Sequence, residues 1–147
     1  MEFLDVRPAS RQDVSALVDL LAQLGYPADG GTIERRLDRL LPRSDNVVLV
    51  AEDGRRVIGL GALHLMLVIH EDAPRAQLTA LVVAEAARGR GIGRAIVKRI
   101  EEIARDRGSK RIVVTTANHR ARTHQFYERM GYEWTGRRYG KSLGSAP

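Results

Sequence analysis

The chain has 147 residues and 16.3 kDa, with 24 basic and 18 acidic side chains, a formal net charge of +6 and a pI near 10.3. This length suits one domain over residues 1–147, large enough to bury roughly two-thirds of its unfolded surface. The absence of cysteine excludes disulfides, iron–sulfur clusters, thiolate zinc sites and a cysteine nucleophile, and the dispersed His64, His70, His119 and His124 form no zinc-type pair.

No uncharged run approaches the ~20 apolar residues that cross a bilayer. The opening MEFLDVRPAS has no apolar signal-peptide core. The expectation is a soluble, cytoplasmic protein with no membrane partner. The charge is divided unevenly. Residues 1–85 carry 9 basic and 13 acidic side chains, and residues 86–147 carry 15 and 5. The second half therefore holds a net +10, which suits a localised polyanion site.

In chain order, residues 3–7 form a short strand ending at Pro8. Ser10 opens a helix whose Val14, Leu17, Val18, Leu21 and Leu24 recur at helical spacing until Gly25. A glycine-rich turn, Asp29-Gly30-Gly31, leads to Thr32 as the cap of a second helix, closed by Pro42. Residues 46–52 form a strand, Asp53-Gly54 a hairpin turn, and residues 56–69 a longer strand. QLTALVVA, residues 77–84, has the near-continuous apolar run of a central strand covered on both faces. A helix follows from Gly91 to Gly108, then a strand over 111–116, a short helix over 121–130 and a final hairpin around Gly136. The predicted order is βααβββαβαββ, an α/β domain with one mixed, mostly antiparallel sheet flanked by helices.

The densest chemical signal is the run Arg88-Gly89-Arg90-Gly91-Ile92-Gly93-Arg94, between a buried strand and an amphipathic helix. Alternating glycines let the backbone approach a ligand, and a helix N-terminus presents amides that favour an anion. Three interleaved arginines add forked donors suited to phosphate. The run fits neither the dinucleotide G-x-G-x-x-G fingerprint nor the Walker A loop.

Leu81 to Gly93 resembles motif A of the GNAT superfamily of acyl-CoA-dependent N-acetyltransferases, whose Arg/Gln-x-x-Gly-x-Gly/Ala core is matched by Arg88, Gly91 and Gly93. Asn118, Ala121, Phe126, Tyr127, Glu128, Gly131 and Tyr132 resemble the second family motif, N-x-x-A…F-Y-E-x-x-G-F/Y. The resemblance covers essentially the whole chain and includes the element order. It implies acetyl-CoA as co-substrate. The backbone of Leu81, Val82 and Val83 would pair with the pantetheine arm, and the amides from Arg88 through Gly89, Arg90, Gly91, Ile92 and Gly93 to Arg94 would cradle the pyrophosphate. Asn118 would contact the cofactor near the arm, the Val83 amide would polarise the thioester carbonyl, and Tyr127 would protonate the leaving thiolate.

Many family members place a glutamate on the central strand as general base. Here residues 75–81 carry no carboxylate, and no residue is assigned as base. Glu71, Asp72 and Glu85 are the nearest acids, and His64 and His70 lie on the preceding strand. Phe126 and Trp134 are expected in the core. Arg120 and Arg122 suit either the adenosine 3′-phosphate or a solvated helix face.

The segments expected to meet the acceptor, residues 24–31 and 70–75, are mildly acidic through Asp29, Glu71 and Asp72. They suit a small-molecule amine acceptor; a homodimer is compatible. Three other readings stand beside this one. They are an acyl-CoA-binding protein without catalysis, an acetyltransferase of protein N-termini or lysines, and a nucleic-acid module built on the basic half. Against the last, only 5% of residues are aromatic and no nucleic-acid-binding motif is present.

Overall fold

Val50, Leu60 and Val82 come from three different strands, yet all three side chains are buried in one cluster with Leu17, Leu20, Ile33 and Leu37 from two helices. In this computed structural model, residues 4–115, 121–136 and 138–144 are described. They divide into two units, Met1–Thr115 and Thr116–Pro147.

The first unit holds β1 (Leu4–Pro8), α1 (Val14–Leu24), α2 (Gly30–Leu40), β2 (Asn46–Asp53), β3 (Arg56–Met66), β4 (Arg75–Val83), α3 (Ile92–Asp106) and β5 (Ile112–Val114). The sheet runs β1-β2-β3-β4-β5, antiparallel through β4 and parallel between β4 and β5. Helix α3 is the crossover that a parallel pair requires. Side chains alternate across the sheet. Val48, Val50, Leu60 and Val82 face α1 and α2, while Gly59 and Gly61 of β3 face Ile92, Ile96 and Ile100 of α3. The second unit holds α4 (Ala121–Arg129).

A three-way ion pair fastens the sheet edge. Arg7 of β1 donates to both carboxylate oxygens of Asp13 and to Glu52 of β2, each at 2.9 Å. Asp13, 5% exposed, also accepts the Ser10 amide at 2.8 Å, closing the entry to α1. At the far end of α1, Gly25 takes φ 105°, and the Tyr26 amide returns to the Leu21 carbonyl at 2.9 Å.

Several expectations are corrected. The cap of α2 is Asp29, not Thr32: its carboxylate accepts the Thr32 amide at 2.8 Å, so Gly30 and Gly31 lie inside the first turn. A carboxylate at this position also meets the positive end of the helix dipole. Strand β3 ends at Met66 rather than residue 69, where its pairing with β4 stops at Arg75. The final hairpin is absent among the described residues 132–136 and 138–144. Trp134 is 74% exposed and is not a core residue.

Candidate functional site

Beyond Leu78, no described strand covers the side of β4 that faces away from β3. The Ala84 amide donates to the Ile58 carbonyl at 2.8 Å, so backbone groups of Ala84 and, two residues back, Val82 aim at β3. Leu81 and Val83, opposite Gly61 and Gly59 at the non-hydrogen-bonded rungs, therefore aim theirs away from β3. On that side β5 pairs only with Ala76, Gln77 and Leu78. Among the described residues, no strand pairs with Leu81 or Val83 there.

A single 3-10 turn, Glu85–Ala87, carries the chain off the sheet, and Gln23 of α1 accepts the Glu85 amide at 2.8 Å. Gly89 and Gly91 follow with φ of 80° and 81°. A side chain at either position would meet nothing within 4 Å. The demand for glycine is therefore conformational, worth about 1–2 kcal/mol per residue in the left-handed region. Helix α3 starts at Ile92, with no side chain capping its N-terminus. Its first amides retain their dipole and their capacity to bind an anion.

The arginines are held as well as charged. Arg88 Nε donates to the Val83 carbonyl at 3.1 Å, and Arg90 Nη2 lies 2.8 Å from Asp53 Oδ2 at the β2–β3 hairpin. Leu81, Val82, Val83 and the whole turn from Arg88 to Arg94 thus form one contiguous strand–turn–helix, as the sequence reading expects. Gln23 and Asp53 were not in that reading. They lie 62 and 37 residues from their partners, and no local pattern marks either one.

Tyr127 lies in the second unit, and its setting explains the spacing of the pattern around it. Gly131 takes φ 91°, its amide donates to the Glu128 carbonyl at 3.0 Å, and the Tyr132 amide donates to the Tyr127 carbonyl at 2.9 Å. These two bonds make the left-handed helix stop known as a Schellman motif, whose usual apolar contact is present as the Tyr127–Tyr132 ring pair at 5.4 Å. Phe126 packs edge-on against Tyr127 at 5.1 Å. Tyr127 is 7% exposed, and burial pushes its hydroxyl pKa up to about 12. Asn118 lies outside the described residues.

Of the acids named above, Glu71 and Asp29 are engaged. Glu71 accepts Arg75 Nε at 2.8 Å, with His70 beside the same guanidinium at 3.0 Å. Asp29 is committed to capping α2. His64 stands 3.9 Å from Asp45, whose carboxyl is held at a pKa of about 2 by Arg43. β4 itself carries no carboxylate.

The chain thus combines a mixed sheet, in which the described pairing of β4 with β5 covers Ala76 to Leu78, with a glycine-bearing turn and an uncapped helix N-terminus. The Acetyltransferase (GNAT) family pattern matches residues 16–132, and the chain belongs to that family. N-acetyltransferase family 8 member 2 of Rattus norvegicus is 33% identical over 87 residues, 59% of this chain and 38% of that protein. Aminoalkylphosphonate N-acetyltransferase of Salmonella typhimurium is 28% identical over 150 residues, 97% of this chain and 94% of that protein. The chain thus spans well under half of the rat relative and nearly all of the bacterial one. Among solved structures, aminoglycoside N-acetyltransferase AAC(6')-Iy in complex with CoA superposes with a TM-score of 0.84 at 15% identity, over 95% of this chain and 93% of that one. At that identity the likeness is one of fold. No helix among the described residues is long and apolar enough to cross a membrane.

Proposed function

We propose that residues 1–147 act as one N-acetyltransferase domain that moves an acetyl group from acetyl-CoA directly to a primary amine of a small molecule. The observation that carries this reading is the strand–turn–helix of residues 81–94. The outward backbone groups of Leu81 and Val83 suit the amides of a pantetheine arm. The left-handed glycines and uncapped α3 N-terminus suit its pyrophosphate.

In this reading the amine nitrogen attacks the thioester carbon, forming the amide bond as the C–S bond breaks. The Val83 N–H, on the outward edge, donates to the carbonyl oxygen as negative charge grows there. Tyr127 gives its proton to the departing sulfur, yielding free CoA thiol. A raised hydroxyl pKa keeps that proton in place at neutral pH. An amine of ordinary pKa, about 10.4, costs about 4–5 kcal/mol to neutralise at pH 7. With β4 lacking a carboxylate and Glu71 paired to Arg75, the reading passes the amine proton to water.

The same missing carboxylate favours a second reading, an acyl-CoA-binding protein that does not catalyse. One experiment separates the two: acetyl-CoA is mixed with the protein and a panel of small amines, polyamines, aminoglycosides, aminoalkylphosphonates and peptides with free N-termini or lysines, and thiol release is followed. Turnover on a small amine supports the enzyme. A melting temperature raised by acetyl-CoA without turnover on any amine supports the binder, and neither effect contradicts both. Turnover confined to peptide amines would redirect the acceptor to proteins. The location expected for such an enzyme is the cytoplasm, where acetyl-CoA is made and spent.

A further inference from the structure

Two glycines face the core of the first unit where a side chain would collide. A Cβ on Gly61 would stand 2.3 Å from Ile96 Cγ2 and 2.9 Å from Ile100 Cδ1. A Cβ on Gly59 would stand 2.8 Å from Ile96 Cδ1 and 3.3 Å from both Ile92 Cγ2 and Ala51 Cβ. Ile92, Ile96 and Ile100 are 1%, 0% and 0% exposed, so they have no solvent to swing into. Neither glycine has a positive φ, so the backbone does not require glycine here. The space does. Helix α3 rests directly on the backbone of β3.

These two glycines also stand at particular rungs of the sheet. Gly59 pairs with Val83, and Gly61 with Leu81. They are the rungs whose partners on β4 turn their backbone groups away from β3. Ile92, which meets Gly59, is the first residue of α3 and follows the left-handed Gly91. The helix that supplies the turn amides and the strand that supplies the edge are therefore referenced to the same two residues.

We propose that Gly59 and Gly61 are positioning residues for acyl-CoA: by letting α3 seat on bare backbone, they set the distance between its N-terminal amides and the Val83 edge of β4. The proposal rests on the reading of residues 81–94 as the acyl-CoA site. A ligand held at two ends, by its pyrophosphate and by its arm, is sensitive to that distance. A methyl on β3 lifts α3 and moves one end relative to the other.

The test compares CoA affinity, by calorimetry, with melting temperature in five proteins: wild type, Gly59→Ala, Gly61→Ala, Ile96→Ala and the double variant Gly61→Ala with Ile96→Ala. The double variant trims Ile96 back to Cβ, 3.9 Å from the added methyl, and the space it vacates lets the terminal Cδ1 of Ile100, otherwise 2.9 Å away, turn aside. Each glycine variant is expected to bind CoA about tenfold more weakly than wild type. The double variant should recover affinity to within about threefold while its melting temperature stays at or below that of Gly61→Ala, since a large-to-small core change destabilises. Affinity that simply follows melting temperature across the set, or glycine variants that bind as wild type does, would overturn the proposal. If Gly61→Ala does not fold, Gly59→Ala and its combination with Ile96→Val, which removes Cδ1, decide by the same comparison. A wild-type protein that fails to bind CoA removes the proposed function, and the positioning role falls with it; wild-type binding with unaffected glycine variants removes the positioning role alone.

Discussion

Arg90 Nη2 lies 2.8 Å from Asp53 Oδ2, tying the glycine turn to a hairpin 37 residues earlier in the chain. The two side chains are 44% and 31% exposed. An ion pair so open to water is worth only about 0–1 kcal/mol. The guanidinium has five donors and can hold Asp53 while facing an anion. Arg90→Ala is therefore expected to weaken CoA binding about tenfold, and Asp53→Asn to change it by less than about threefold. Titration calorimetry of both variants at two salt concentrations checks this, with the smaller Arg90 effect at the higher salt.

Tyr127→Phe should lower kcat by about 10²-fold while leaving acetyl-CoA affinity within about twofold, because the hydroxyl acts only as the thiolate departs. The ring contacts to Phe126 and Tyr132 survive the substitution, so folding is retained. Steady-state kinetics beside calorimetry separates the two effects. Wild-type turnover in the variant would remove Tyr127 from the mechanism.

The pH profile follows from two groups. Burial raises the Tyr127 pKa to about 12, and the hydroxyl is the active form, so no falling limb from this residue is expected below about pH 11. With no strand carboxylate as base, kcat/KM should rise tenfold per pH unit until the free amine's own pKa, near 10.4 for an ordinary alkylamine. Repeating the profile with a less basic amine should move the plateau down by the difference in the two amine pKa values. A plateau that stays fixed near pH 6–7 for every amine would reveal an enzyme base.

Asp13 makes a separate prediction about stability. Hydrogen bonds from Arg7 hold its carboxyl below the ordinary value of 3.8, against the opposing effect of burial. A depressed carboxylate stabilises the fold above its unfolded pKa, and that contribution is lost as pH falls below about 3.8. Asp13→Asn should cost about 2 kcal/mol at pH 7, and its urea midpoint should fall less steeply than that of wild type between pH 4 and pH 2.5.

How much of this was legible in the sequence depended on the range of each interaction. The α3 face of Ile92, Ile96 and Ile100, the β2–β3 hairpin and the glycine-bearing strand-to-helix turn at 89 and 91 are encoded within a few residues, and each lies where periodicity and turn chemistry place it. Asp29 was missed as a cap because adjacent glycines look like a loop until a carboxylate three residues from Thr32 accepts its amide. Trp134 looked like core because an isolated large aromatic usually is, but nothing in its immediate sequence specifies a partner. Gln23 on the Glu85 amide and Asp53 on Arg90 act across the fold, and side chains meeting at such separations leave no periodic trace. The seat of α3 on Gly59 and Gly61 belongs to the same class: G-L-G in a strand names no helix.

Amide NMR of the isotopically labelled protein titrated with CoA tests, residue by residue, whether residues 81–94 hold an acyl-CoA. Saturable shifts are expected to be largest at the amides of Leu81 and Val83 and of residues 88–94, with the contact of Arg107 and Ser44 at the opposite end of α3 unmoved. Saturable binding that leaves the 81–94 amides in place, or no binding at millimolar CoA, would contradict it.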